Sequence, residues 1–143
     1  MGSDGINGLS SRVIGACIEV HRHLGAGLLE SAYEECVFDE LLAQGIACER
    51  QVPVPVTYKG RVLASPYRLD LLVDKQVVLE LKAVEELKPV HFAQAITYLR
   101  LARVPLALVV NFHAPTLRGQ IRRFVNRAPD LATHNAHDVS TPP

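Results

Sequence analysis

Three charged residues stand inside two runs that are otherwise almost wholly aliphatic. Asp70 interrupts Tyr67-Arg68-Leu69-Asp70-Leu71-Leu72-Val73, and Glu80 and Lys82 interrupt Val77-Val78-Leu79-Glu80-Leu81-Lys82. Such runs read as buried strands. Glu80 and Lys82 are two apart, so on a strand they project from the same face. A charge buried there costs several kcal/mol unless it is paired or holds a metal. The polar Asp74-Lys75-Gln76 makes the two runs a hairpin, and its register decides whether Asp70 joins the pair. An odd-length loop centred on Lys75 sets Asp70 across from Glu80, facing the same way. A two-residue turn at Asp74-Lys75 puts them on opposite faces.

In the first register, two carboxylates and the Leu81 carbonyl between them form a hard-oxygen pocket suited to Mg²⁺ or Mn²⁺. An ion there lowers the pKa of a bound water and polarises a phosphoryl oxygen. Lys82 beside it can orient that water or offset charge building on a phosphate. The same residues also read as a structural Asp–Lys–Glu ion pair at a sheet end.

The rest of the chain gives these strands their setting. Leu9, Val13, Cys17, His21 and Leu24 recur at helical spacing over 9–24, with Ser10 or Asn7 as a cap. Gly25 and Gly27 turn the chain into a second helix, from about Leu28 to Gln44, which Gly45 ends in a left-handed conformation. From Ile46 to Tyr58 the period becomes two, and Pro53 and Pro55 confine that strand to a sheet edge or a bulge. Tyr58-Lys59-Gly60-Arg61 is a turn, and the next strand, broken near Ser65-Pro66, runs to Val73. Pro89 opens a third helix that continues to Arg103. Leu106–Phe112 reads as a strand buried on both faces. Thr116 is expected to cap a last helix, with Leu117, Ile121, Phe124 and Val125 inward and Arg118, Arg122 and Arg123 on its outer side. The expected order is α-α-β-β-β-α-β-α, a mixed four-stranded sheet flanked by helices. Residues 1–8 read as an N-terminal arm, 9–127 as one domain and 128–143 as a flexible tail.

Asp70, then Glu80-Leu81-Lys82 ten residues on, then a helix bearing Gln94, resembles the PD-(D/E)XK nuclease superfamily, and the element order is similar to its core. Leu69 stands where the superfamily name has Pro. More narrowly, Gly27-Leu28-Leu29-Glu30-Ser31-Ala32-Tyr33 resembles the signature of the GxxExxY protein family within it. The likeness runs from about Leu9 to Asn126. It implies a restriction-endonuclease-like fold, Mg²⁺ or Mn²⁺ on Asp70, Glu80 and the Leu81 carbonyl, and Lys82 assisting the attacking water. Glu30 becomes the acidic residue of the first core helix, and Gln94 completes the catalytic set. Tyr33, Tyr98 and Arg122 are then the candidate substrate contacts. Read from the residues alone, Glu30 also suits a helix N-terminus, and His91, Gln94 and Tyr98 also suit a solvated helix face.

Composition limits what such a nuclease can be. Lys and Arg number 15, as do Asp and Glu, so no overall field draws in polyanions and a polybasic binder is excluded. Arg118, Arg122, Arg123 and Arg127 form the one expected basic patch. Cys17, Cys36 and Cys48 are odd in number and form no Cys-x-x-Cys pair, which excludes a zinc knuckle and a disulfide framework. No apolar run approaches the ~20 residues of a membrane helix, and Met1-Gly2-Ser3-Asp4 lacks the features of a signal peptide. The expectation is therefore a cytoplasmic, metal-dependent nuclease acting on DNA or RNA, with substrate delivered by a homodimer or a partner protein. The competing reading is a non-catalytic binding or regulatory module that keeps the nuclease fold.

Overall fold

The computed structural model describes residues 5–64 and 67–126 of the 143; Arg127 and the expected tail at 128–143 lie outside them. The chain begins with α1 (Gly5–Leu24) and α2 (Glu30–Ala43). It continues as β1 (Cys48–Pro53), β2 (Thr57–Tyr58), β3 (Arg61–Val62), β4 (Arg68–Val73) and β5 (Val77–Lys82). Then come α3 (Pro89–Ala102), β6 (Leu106–Asn111) and β7 (Ile121–Val125). Five strands form one mixed sheet in the order β1-β4-β5-β6-β7, while β2 and β3 pair separately. The β5–β6 pairing is parallel, with α3 as its crossover, and the other pairings are antiparallel.

The sheet is covered on both faces. Val77, Leu79 and Leu81 of β5 pack with Val13, Cys17, Tyr33 and Val37 of α1 and α2, whereas Val78 joins Ala95, Tyr98 and Leu99 of α3. All of β6 is buried, as its unbroken apolar run requires. The proline-bearing strand lies at the sheet edge, where a missing N–H costs no ladder bond. Gly45, at φ 78°, ends α2, and Ile46 N–H reaches back to the Leu41 carbonyl (3.0 Å).

Two ends of the domain differ from expectation. α1 starts at Gly5, and neither Asn7 nor Ser10 caps it: the Ser10 hydroxyl donates to the Asn7 carbonyl (3.2 Å). At the other end the expected final helix is β7. Thr116 Oγ1 accepts the Arg118 N–H (3.4 Å), but Gly119 at φ 75° turns the chain back antiparallel to β6. Ile121 and Val125 then pack on the α1–α2 side and Phe124 on the α3 side, a period of two. The spacing of Ile121, Phe124 and Val125 suits a helix as well; the open edge of β6 decides the matter, because a strand there satisfies its backbone groups.

Asn111, fully buried, fixes the chain as it leaves the sheet beside the acidic residues. It lies opposite Lys82 in the parallel ladder. Its Oδ1 accepts the Val84 N–H (3.0 Å), and its Nδ2 donates to the Val84 carbonyl (2.9 Å) and to Gln120 Oε1 (3.2 Å). Asn111→Ala leaves both Val84 groups without their partner, and we expect a loss of about 2–4 kcal/mol in urea denaturation. An unchanged midpoint would show that water takes over these bonds.

Candidate active site

The β4–β5 hairpin has the register that brings the acids together. Val73 pairs with Val77, Leu72 with Val78 and Leu71 with Leu79, so the loop is centred on Lys75 and the next positions are Asp70 and Glu80. At that point the backbone ladder stops and side chains replace it. Asp70 N–H donates to Glu80 Oε2 (3.1 Å), and Leu81 N–H donates to Asp70 Oδ2 (2.8 Å). The neighbouring strand is irregular at the same level. Gln51, opposite Asp70, drops out of the β1–β4 pairing at φ 50°. Leu71 belongs to the α1–α2 core and Leu69 to the α3 core, so the side-chain alternation also slips at Asp70. Leu69, in the place of the superfamily's Pro, is a buried core residue.

Around the pair, Lys82 Nζ donates to Gln94 Oε1 (3.4 Å) on α3, and Gln94 Nε2 donates to the Tyr98 hydroxyl (3.1 Å). Lys82 enters no ion pair among the described residues, so the structural Asp–Lys–Glu pair is not formed. Glu30, in the first turn of α2, accepts the Ala83 N–H at Oε2 (3.2 Å), one residue past Lys82. His91 is occupied elsewhere, since its Nδ1 accepts the Lys88 N–H (2.9 Å) and so caps α3.

Sequence reasoning missed Glu34. One turn after Glu30, it is only 7% exposed, held by Arg50 Nε (3.1 Å) and Gln51 Nε2 (2.8 Å). Its spacing four residues from Glu30 was the available signal; the partners on β1 could not be foreseen, because Gln51 reaches it from an irregular backbone.

The electrostatics follow from crowding of like charges in a poorly hydrated place. Burial, joined by the Glu34 and Glu30 charges, pushes the Asp70 carboxyl up to about 6 against the Leu81 N–H and Lys82. Burial and the Asp70 charge push Glu80 up to about 8. The Tyr98 hydroxyl is raised by burial, the Gln94 hydrogen bond opposing. His91 is lowered by burial and by Lys82.

This donor set fits a hard divalent cation. One oxygen of each carboxylate accepts a backbone N–H, and among the described residues the second accepts no hydrogen bond. Carbonyls of successive strand residues point to opposite neighbours. Since the Lys82 carbonyl accepts the Phe112 N–H across β6 (2.8 Å), the Leu81 carbonyl faces the Asp70 side. Among the described residues no three His, Cys, Asp or Glu side chains converge into a cage. Two carboxylates, a carbonyl and oxygens from water or substrate are the usual environment of Mg²⁺.

One expected substrate contact is corrected, and the setting of a second is changed. Tyr33 is fully buried, stacked on Phe112 (centroids 4.4 Å apart). Its hydroxyl donates to the Gly25 carbonyl (2.6 Å) and accepts the Leu28 N–H (3.2 Å), so it braces the glycine turn. Arg122 lies two strands from Glu80, opposite Val109, with its guanidinium 5.9 Å from the Phe92 ring centroid. On a strand it faces away from Arg123, which bonds Asn7 Oδ1 (2.8 Å), and the expected helical basic patch therefore dissolves.

A family model described as PD-(D/E)XK nuclease superfamily matches residues 7–124. The chain belongs to that superfamily. No curated protein and no solved structure matches it. The five-stranded mixed sheet flanked by helices agrees with the restriction-endonuclease-like fold of PD-(D/E)XK proteins, and no helix among the described residues is long and apolar enough to cross a membrane.

Both raised carboxyls bind protons more tightly folded than unfolded, so they favour the folded state at low pH. In chelator, the melting temperature should fall as the pH rises from about 4.5 to about 8, the ordinary and raised values for Glu80. Glu80→Gln should flatten most of that fall. A melting temperature that climbs through the same window would show the pair to be compensated.

Proposed function

We propose that the protein hydrolyses phosphodiester bonds of DNA or RNA, with Mg²⁺ or Mn²⁺ held by Asp70, Glu80 and the Leu81 carbonyl. The observation that carries this is the adjacency of the two acids, each bonded to the other's strand, while the nearest ammonium is turned to Gln94. When bound, the cation polarises a phosphoryl oxygen and acidifies its water. A scaffold without chemistry has little reason to bury two like charges side by side.

The chain's own residues supply the rest. Lys82 is a cation free of carboxylate partners among the described residues, available to orient the attacking water or to stabilise charge on phosphorus oxygens. Gln94 holds the ammonium, and Tyr98 holds Gln94. Glu30 fixes the backbone at Ala83, just beyond Lys82, and presents a further carboxylate near the site. The reaction is attack of water on phosphorus with inversion and departure of a sugar oxygen.

The Gly27-x-x-Glu30-x-x-Tyr33 signature supports a narrower placement, in the GxxExxY protein family. Gly27 at φ 102° permits the turn, Tyr33 locks it, and Glu30 then opens α2 facing Ala83. Cys17, Cys36 and Cys48 are free, as suits a reducing cytoplasm. Burial pushes Cys17 up to about 12 and Cys48 to about 11, which leaves both thiols unreactive. Delivery of nucleic acid by a homodimer or a partner protein belongs to the same reading.

Mg²⁺ or Mn²⁺ at millimolar concentration should raise the melting temperature of the wild type and not of Glu80→Ala. Lys82→Ala should keep that rise and lose about 10²–10³ in kcat on whichever nucleic acid is cut. No rise in the wild type would move the reading to a non-catalytic module.

A further inference from the structure

Hydrolysis at Asp70 and Glu80 leaves one large feature of the surface unused. An open cleft of about 620 Å³ lies along α3, with Val56, Leu63 and Tyr67 on one side and Val90, Thr97 and Leu101 on the other. Gln94 and Tyr98 line it too. Gln94 also holds the Lys82 ammonium, and Tyr98 holds Gln94, so one wall of the cleft is shared with the residues beside the acidic pair. Tyr67, in the same lining as Tyr98, is 44% exposed, and Val90 is 67% exposed. Arg100 lines the cleft about 9 Å along the helix from Gln94, six residues on.

The occupant follows from charge and shape. With 15 basic and 15 acidic residues the chain has no surplus of cations to track a phosphate backbone, and backbone-only binding depends on such cations. Affinity for a nucleic acid then has to come from its bases, whose flat apolar faces stack on aromatic rings. A paired base is held inside its duplex and cannot enter a concave cleft; an unpaired or extruded base can.

We propose that this cleft holds an unpaired nucleobase beside the phosphate being cut, which makes single-stranded or frayed nucleic acid the substrate. Tyr67 stacks on the base, Gln94 and Thr97 offer hydrogen bonds to its edge, and Arg100 meets a flanking phosphate. The assignment rests on the hydrolytic reading for its orientation, since that reading places the scissile phosphate at Lys82.

The test separates binding from cutting. The full chain carrying Glu80→Gln is titrated with fluorescent single-stranded DNA and RNA, with the same strands in duplex, and with an abasic strand of equal length. The intact single strand should bind about tenfold or more tightly than the duplex and the abasic strand. Tyr67→Ala should cost about tenfold in affinity for it, the scale of one stacked base. Ala93→Trp, an exposed lining position that fills the cleft without touching the core, should cost as much. In the otherwise wild-type chain, both variants should keep the Mg²⁺-induced rise in melting temperature.

Equal affinity for duplex and single strand overturns the inference, as does indifference to both substitutions. Wild-type hydrolysis with Mg²⁺ is measured alongside. Cutting of duplex as fast as single strand overturns the inference and leaves the hydrolytic reading standing. Selective single-strand binding with no cutting of any substrate keeps the cleft and removes the catalytic reading.

Discussion

The β4–β5 ladder breaks off three pairs before its strands end, and the site depends on what takes its place. From Val73–Val77 to Leu71–Leu79 the hairpin pairs as an ordinary antiparallel ribbon. At Asp70 and Glu80 each carboxylate accepts a backbone N–H from the strand that carries the other. Those bonds fix both acids without neutralising them. Two N–H donors stabilise the charged forms, yet burial and mutual repulsion outweigh them, since both carboxyls stay above their ordinary values. The structure thus holds an electrostatic cost at one spot, which either protons or a divalent cation can relieve.

That cost is tolerable because the frame around it is dense. Leu71, Leu79 and Leu81 lie fully within the α1–α2 core, and Val78, Val109 and Phe124 within the other. Positions off the sheet are held as firmly. Tyr33 clamps the turn that delivers Glu30, and Asn111 clamps the chain two residues past Lys82. Arg50 and Gln51 fix Glu34 from β1. Each of these spends backbone or side-chain hydrogen bonds on orientation rather than on contact with substrate, which is how a site is held in place before its ligand arrives.

Much of this is legible in the sequence alone, for identifiable reasons. A charge in an aliphatic strand has few tolerable explanations, so Asp70, Glu80 and Lys82 stand out, and the hairpin needs only its odd loop to bring the acids together. The prolines at 53 and 55 put their strand at the edge, and Gly45 ends α2, because both residues act through the local backbone. β7 reads as a helix because Ile121, Phe124 and Val125 satisfy a helical period and a strand period alike, and the open edge of β6 is a tertiary fact. Arg122 goes with it: once the helix becomes a strand, its arginines part to opposite faces. Tyr33 carries a resemblance-based role that burial and its two bonds to the glycine turn exclude. Asn111 is invisible in the sequence, and Glu34 shows there only its spacing from Glu30, because their partners come from other segments of the chain, Val84 and Gln120 for one and β1 for the other.

The charge balance around the acids bears on how the site can meet a polyanion. Glu30, Glu34, Asp70 and Glu80 gather near the ammonium of Lys82, with Arg50 already committed to Glu34. A bare phosphate approaching this cluster is repelled more than attracted, in a chain whose overall charge gives it no compensating field. Attraction has to come from something that changes the local sign or ignores charge. A divalent cation does the first, and an apolar cleft with an exposed tyrosine at its wall does the second. If both are used, they favour each other: a cation that draws in the phosphate raises affinity for the strand, and by reciprocity the bound strand raises affinity for the cation. On the proposed reading, such coupling would let a neutral protein of this size hold nucleic acid only when it is ready to cut it.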